Sequence, residues 1–326
     1  MKRYLLKTQC LLLLLLPLLL CACSKPQERS IFAMDTFMQL TVYGKNAEAA
    51  LDRCESEIRS QEARFSVTLP NSGVSKINSA NGEPVSVDRE TIALLKKACS
   101  ISEQVDGAFD ITIHPLVTLW GFHEGEQHVP SQAQISASLA RVDYKKAEFR
   151  DQTVTLPADM QIDLGGIAKG YCGEQLRSIL QENGITSALL TLGGNVEAIG
   201  TKPDGSAWRI AIRDPHDEQQ VLGIIEVTDR AVVTAGSYQR YFEQDGIRYH
   251  HILDPKTGYP ADSGLCSVTV VSKSGTLADA LSTAFFVLGT EPSLALLDTP
   301  EFSECEAIFV KNDGSYVCTA GIRLVE

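Results

Sequence analysis

The chain has 326 residues, of which 44% are hydrophobic and 21% charged, and its formal net charge is −12. That length is ample for a buried core, and the composition is that of a globular protein, not a disordered or fibrous one. No basic stretch is long enough to form a nucleic-acid surface, so nucleic acid is set aside as a partner; an acidic protein that binds phosphate must arrange local positive potential or recruit a cation.

Lys2, Arg3 and Lys7 precede an apolar run from Leu11 to Leu20 interrupted only by Pro17. The run is too short to span a bilayer and reads as a secretory signal. It ends Leu20-Cys21-Ala22-Cys23, which resembles a bacterial lipobox with cleavage before Cys23 and lipid on its thiol. A plain signal peptide cut near Ala22 is the alternative. Loss of the signal takes the balance to about −15. The expected organisation is a signal over 1–22, lipidated Cys23 with a polar tether over 23–30, and one folded unit over 31–326. Lipid would anchor this unit to a membrane without spanning it.

Beyond the tether, Phe37–Tyr43 alternates as a strand. Ala47–Arg64 places Ala50, Leu51, Cys54 and Ile58 on one helical face, and Arg89–Val105 does the same with Ile92, Leu95, Ala98, Cys99 and Ile101. Val154–Leu156 and Met160–Ile162 suit short strands. Ile167–Glu182 reads as a helix closed by Asn183-Gly184. Ala188–Leu192, Trp208–Ile212, Gly223–Val227, Ala231–Thr234, Ser267–Val271 and Ala307–Val310 are further strands, and Leu277–Leu288 a fourth helix. Mainly antiparallel strands with several packed helices make the fold class α+β, in a single compact unit. No cysteine pair has CxxC spacing, which argues against a zinc site of that kind. Cys305 and Cys318 flank a hairpin turning at Asn312-Asp313-Gly314, open either to pairing across it or to remaining free buried thiols.

Five stretches could carry chemistry. Asp279 and Thr283 are four apart, so a helix puts a carboxylate and a hydroxyl on one face, hard donors suited to Mg²⁺ or Ca²⁺. From spacing alone, a helix-start Asp with a back-bonded Thr is the preferred reading. Ile162-Asp-Leu-Gly-Gly-Ile-Ala-Lys-Gly-Tyr hands a strand to a helix through Gly165-Gly166, where backbone can approach an anion and Lys169 adds a cation; a plain tight connection explains it equally. His250 and His251 in an extended segment point to opposite faces, so one can serve as a base while the other packs. Phe109 offers a flat apolar surface with Asp110 beside it, or both belong to an aromatic core. Leu192-Gly-Gly-Asn could line a ligand or merely turn.

In order along the chain, Met34-Asp-Thr, the Asp106-Gly-Ala-Phe-Asp-Ile-Thr segment ending Leu119-Trp-Gly-Phe, Ile162-Asp-Leu-Gly-Gly-Ile-Ala-Lys-Gly-Tyr, Leu192-Gly-Gly-Asn-Val-Glu-Ala-Ile-Gly, Thr234-Ala-Gly-Ser-Tyr, His250-His-Ile-Leu-Asp-Pro-Lys-Thr-Gly and Ala278-Asp-Ala-Leu-Ser-Thr together resemble the ApbE family. The resemblance covers nearly the whole chain after the signal. It implies an ApbE-type, T-fold-like architecture and an FAD:protein FMN transferase that uses Mg²⁺. It further implies that Met34, Ala108, Phe109, Asp110, Asp163, Lys169 and Leu253 contact FAD. Asp279, Thr283 and the backbone carbonyl of Gly166 would hold the Mg²⁺, with Ser282 assisting, and His251 would be the base. The implied acceptors are subunits of membrane redox complexes of the Na⁺-translocating NADH:quinone oxidoreductase type, and the implied location is the periplasmic face of the inner membrane. Acceptor motifs of the family resemble Asp/Ser-Gly-Ala-Thr/Ser; here Asp106-Gly-Ala108 runs into Phe109, which argues against self-modification at that position. Ala235 and Glu174 depart from the commoner Ser and Asp.

Overall fold

The computed structural model describes residues 25–123, 125–217 and 219–325. The signal and Cys23 lie outside them. An eight-stranded, wholly antiparallel sheet organises the molecule. Its strands are, in spatial order, β1 (Gln27–Ala33), β2 (Thr36–Tyr43), β6 (Ser187–Leu192), β7 (Asn195–Gly200), β10 (Arg230–Gly236), β13 (Leu265–Ser272), β14 (Glu306–Lys311) and β15 (Tyr316–Cys318). Three smaller sheets join β3 (Val85–Ser86), β5 (Thr153–Thr155) and β4 (Glu148–Arg150), then β8 (Trp208–Arg213) with β9 (Val221–Val227), and β11 (Tyr241–Gln244) with β12 (Ile247–His250).

Helices cover one face of the large sheet. α1 (Ala47–Phe65) and α6 (Ala168–Glu182) pack Leu51, Ile58, Cys172 and Leu176 against Met38, Leu40 and Leu190 of β2 and β6. α3 (Arg89–Gln104) and α7 (Gly275–Leu288) enclose the largest core with β10, β13 and β14, where Phe285, Phe286 and Phe309 are fully buried. The β8–β9 hairpin covers the other face through Trp208, Ile210 and Ile225. β13 is therefore buried at all eight positions, its polar Ser267, Thr269 and Ser272 included, because the sheet is covered on both faces here. Shorter helices α2 (Gly73–Ser79), α4 (His114–Leu119), α5 (Gln132–Leu139) and α8 (Thr290–Leu297) fill the margins. α4 and α5 with Trp120, Phe122 and Leu253 form a separate aromatic cluster against Phe242 and Tyr249 of the β11–β12 hairpin.

Two expectations need correction, and one open alternative is decided. The polar stretch expected as tether to residue 30 is folded from Gln27, because Gln27–Ser30 pair with Gln39–Val42 in an edge strand. Met160–Ile162 is not a strand: the Asn78 side chain accepts from the Ile162 amide at 2.7 Å and donates to its carbonyl at 2.8 Å, doing what a neighbouring strand would do. Of the two alternatives for Cys305 and Cys318, the structure shows free thiols, Cys305 buried and Cys318 partly exposed. The β14–β15 register pairs Ile308 with Cys318, so Cys305 sits three positions out of register, about 10 Å along the strand and beyond disulfide reach.

Candidate active site

A cleft of about 880 Å³ opens where turns converge at one end of the large sheet. The β1–β2 turn contributes Met34–Thr36, the β6–β7 turn Gly193–Asn195, and the end of β10 Thr234 and Ala235. Met34 and Asp35 both adopt positive φ, 51° and 57°, the conformation of a two-residue hairpin turn usually filled by Asn-Gly. Non-glycine residues held there store strain, and such strain collects at ligand sites. The Met34 amide is pinned by the Glu62 carboxylate at 2.7 Å.

On one wall, α7 faces the turn that starts α6. The helix places Asp279 and Thr283 on the cleft side, with Asp279 nearly buried. The Gly170 amide donates to Asp279 Oδ2 at 2.8 Å. Gly170 is the third residue of α6 and carries one of the amides at a helix start that find no acceptor within the helix, so Asp279 caps it. Here no donor among the described residues reaches the Gly166 carbonyl. A side chain at Gly166 would come within 3.4 Å of Thr283 Oγ1 and 3.1 Å of the Phe109 ring, so this backbone lies directly against the Thr hydroxyl. Gly170 packs so closely on Gly275 and Asp279 that a Cβ would lie 2.7 Å from that of Asp279. Glu174 accepts from Ser274, from the Thr276 amide at 3.2 Å and from its hydroxyl at 2.7 Å, and so caps α7. Ser282 donates to the Asp279 carbonyl at 2.8 Å. A carboxylate, a hydroxyl and an unclaimed carbonyl converge, and this oxygen set fits a hard divalent cation such as Mg²⁺.

The same turn begins with Asp163, which also lines the cleft. Its Oδ1 accepts from the Gly165 amide at 2.7 Å and its Oδ2 pairs with His123 Nε2 at 2.5 Å. Burial alone would raise its pKa, but the hydrogen bond from His123 and the proximity of both His114 and His123 outweigh burial and hold the carboxylate well below its usual range. His123 moves the other way: burial would lower it, and Asp163 raises it overall. The two form an ion pair.

His250 and His251 diverge as an extended segment requires. His250 is buried, with Nε2 on the Ala261 carbonyl at 3.1 Å and its ring edge-on to Phe286. His251 lines the cleft. Its Nδ1 lies 3.2 Å from the Arg240 carbonyl, an atom that only accepts, so Nδ1 carries the proton and Nε2 the lone pair. Burial, then the nearby charge of Arg240, His250 and Lys169, lowers its pKa to about 4, so the ring is neutral at neutral pH.

Ala108, Phe109, Lys169 and Leu253 all line the cleft, and Lys169 Nζ donates to the Gly165 carbonyl at 3.1 Å. With Arg213 and Arg240 on the lining, Lys169 supplies the positive potential that the acidic chain otherwise lacks. Asp110 also borders the cleft, yet its carboxylate is spent on the fold. It accepts from the Thr112 amide at 2.8 Å and hydroxyl at 2.7 Å, and from the Tyr144 amide at 3.0 Å. Arg240, His114 and His123 were not anticipated. No sequence spacing links the two histidines to Asp163, which lies 40 residues beyond His123.

The sequence model of the ApbE family matches residues 34–309. The chain belongs to the ApbE family. It is 37% identical over 317 residues to the FAD:protein FMN transferase of Treponema pallidum (strain Nichols), covering 90% of this chain and 87% of that protein. It is 38% identical to an FAD:protein FMN transferase of Klebsiella pneumoniae (strain 342), covering 85% and 87%. Among solved structures, the ApbE protein of Thermotoga maritima superposes with a TM-score of 0.85 at 37% identity, covering 91% of this chain and 97% of that one. The flavin transferase ApbE of Vibrio cholerae gives 0.82 at 28% identity, covering 91% and 98%. These matches establish the single α+β unit as the ApbE fold.

Proposed function

We propose that this ApbE-family chain transfers FMN from FAD to a Thr or Ser hydroxyl of an acceptor protein and releases AMP. The observation that carries the reading is the convergence, in one cleft, of the oxygen set from Gly166, Asp279 and Thr283 with the neutral imidazole of His251. FAD would lie along Met34, Ala108, Phe109, Asp163, Lys169 and Leu253, with Phe109 as an apolar surface for a ring and Lys169 near the phosphates. Asp110 would act from behind, by fixing the segment that presents Phe109.

The acceptor hydroxyl attacks the FMN-side phosphorus. His251 Nε2 takes its proton as the new P–O bond forms, and AMP departs with the electron pair of the broken P–O bond. Mg²⁺ held by Asp279, Thr283 and the Gly166 carbonyl would neutralise the diphosphate. The Arg240 carbonyl keeps the His251 ring in the tautomer that exposes Nε2 to the cleft. Acceptors would be subunits of membrane redox complexes of the Na⁺-translocating NADH:quinone oxidoreductase type. A lipid on Cys23 would hold the domain at the periplasmic face of the inner membrane, and β1, beginning at Gln27, leaves only Ser24 to Pro26 between them.

Incubation of the purified domain with FAD, Mg²⁺ and an acceptor bearing an Asp/Ser-Gly-Ala-Thr/Ser motif tests this by mass spectrometry. An FMN mass increment on the acceptor is expected. Free FMN and AMP with an unlabelled acceptor would make the chain an FAD pyrophosphatase instead, and intact bound FAD a flavin carrier.

A further inference from the structure

We infer that His114, His123 and Asp163 form a second cation site on the cleft wall, one selective for a borderline transition ion such as Zn²⁺ over Mg²⁺. Their ligand atoms, His114 Nδ1, His123 Nε2 and Asp163 Oδ2, all lie within 4.8 Å of one another. Two imidazole nitrogens and one carboxylate oxygen are the donor set of three-ligand zinc and related transition-metal sites, which keep a further position open. The oxygen-only group at Gly166, Asp279 and Thr283 prefers hard ions. Two donor sets in one cleft would therefore sort two kinds of cation.

The geometry is close to what an ion needs. His123 Nε2 is 2.5 Å and His114 Nδ1 3.9 Å from Asp163 Oδ2. Tetrahedral ligation at ordinary zinc distances separates neighbouring ligand atoms by about 3.3 Å. The first gap would open and the second close, each by less than about 1 Å. His114 supplies an independent observation. Its Nδ1 is shielded from solvent and has no hydrogen-bond partner, a rare condition for a buried polar nitrogen. It faces the Asp163 carboxylate, and a cation between them would satisfy both atoms. The outer contacts are in place as well. Thr118 Oγ1 lies 3.4 Å from His114 Nε2, and the Gly165 amide fixes Asp163 Oδ1, leaving Oδ2 as the single ligating oxygen. Such outer partners orient metal-binding side chains. Loading the site releases any proton from His123 Nε2 to solvent.

The inference does not depend on the flavin reading, because the ion alone, without FAD or acceptor, tests it. Untagged, chelator-treated protein is titrated with Co²⁺ while visible absorption is followed, and with Zn²⁺ by calorimetry in excess Mg²⁺. One equivalent of Co²⁺ is expected to develop the intense visible bands of a nitrogen-ligated ion of low coordination number, which Zn²⁺ abolishes and Mg²⁺ does not. His114→Ala and His123→Gln should each weaken Zn²⁺ binding by more than the roughly 10–100-fold that loss of an outer partner causes. Asp279→Ala should leave Zn²⁺ binding unchanged. Absence of those Co²⁺ bands in the unsubstituted protein would overturn the assignment. So would Zn²⁺ affinity that survives both histidine substitutions, or that disappears with Asp279→Ala alone.

Discussion

Asp163 and Asp279 face the same cleft and are held in opposite ways. Asp163 is tied at both oxygens, to the Gly165 amide and to His123, so it is fixed in place and in charge. Asp279 is tied at one oxygen, to the Gly170 amide, and no donor among the described residues reaches the other. A carboxylate oxygen whose partner is an imidazole is open only to an ion that the imidazole can share. A carboxylate bonded once, beside a hydroxyl and an unclaimed carbonyl, has a lone pair left for a ligand. The difference originates in the partners: Asp163 sits among imidazoles, whereas Asp279 sits on a helix face against backbone, where only one amide comes near.

The largest expected effect breaks the Asp279 side. Asp279→Ala should lower FMN transfer by at least about 10³-fold, since removing a single preorganised charge-stabilising group from an active site costs about 10²–10³ and this one also holds the cation. It should also destabilise the fold by about 1–3 kcal/mol, because the buried Gly170 amide loses its acceptor. Asp279→Asn, which keeps an acceptor for Gly170, should recover stability in thermal melts without recovering transfer; recovery of both would remove the metal-ligand role.

His251→Ala should reduce transfer by about 10²–10⁴-fold while FAD affinity, read by flavin fluorescence, changes little. Because the folded ring titrates near 4, the intact enzyme should hold a flat rate over about pH 6 to 8 with respect to this base and lose activity only as pH falls toward 4. A rate that already halves near pH 6.5 would contradict the buried, neutral imidazole.

Gly170→Ala tests how the Asp279 wall is assembled. The added methyl has no room between α6 and α7, so a cost of about 1–3 kcal/mol is expected, with weaker Mg²⁺ binding by calorimetry. Unchanged Mg²⁺ affinity would show that the close helix approach is not needed for ligation.

The smallest effect concerns the Asp163 side and reads stability against pH. His123 is raised above its unfolded value of 6.5, so it contributes stability that is fully present below about pH 6.5 and lost as pH rises through its folded value. Asp163 is lowered, so its contribution is present above about pH 3.8 and lost as pH falls through its folded value. The ion pair thus stabilises most between these limits. His123→Gln should flatten the decline of Tm above pH 6.5; an unaltered pH profile would mean the pair carries no net stability.

Much of the scaffold was legible locally. The period of Ala47–Arg64 follows α1, the strand expected at Ser267–Val271 falls within β13, and the Asn183-Gly184 stop closes α6, with Gly184 at φ 73°. Other elements were hidden for identifiable reasons. β1 reads as a polar leash because its first four residues, Gln27 to Ser30, are exposed or half-exposed at the sheet edge. Met160–Ile162 looks like a strand because two apolar residues, both buried, flank a polar one, but the backbone hydrogen bonds of Ile162 go to an asparagine side chain. Buried Glu197 and its ion-pair partner Arg177 on α6 lie in recognisable segments, yet nothing in their spacing connects them.

By itself, the sequence determined where the longer helices and most strands of the large sheet lie, which glycines turn the chain and which short motifs carry polar groups, because those properties depend on periodicity and φ preference within a few residues. Only the tertiary structure decided which of two adjacent histidines meets the cleft, that Asp279 accepts from the Gly170 amide while Gly166 lies against Thr283, and that His114 and His123 gather around Asp163. Those contacts join segments far apart in the chain. They exist only once the packing of α6, α7 and the sheet has brought their ends together, and no local propensity encodes that closure.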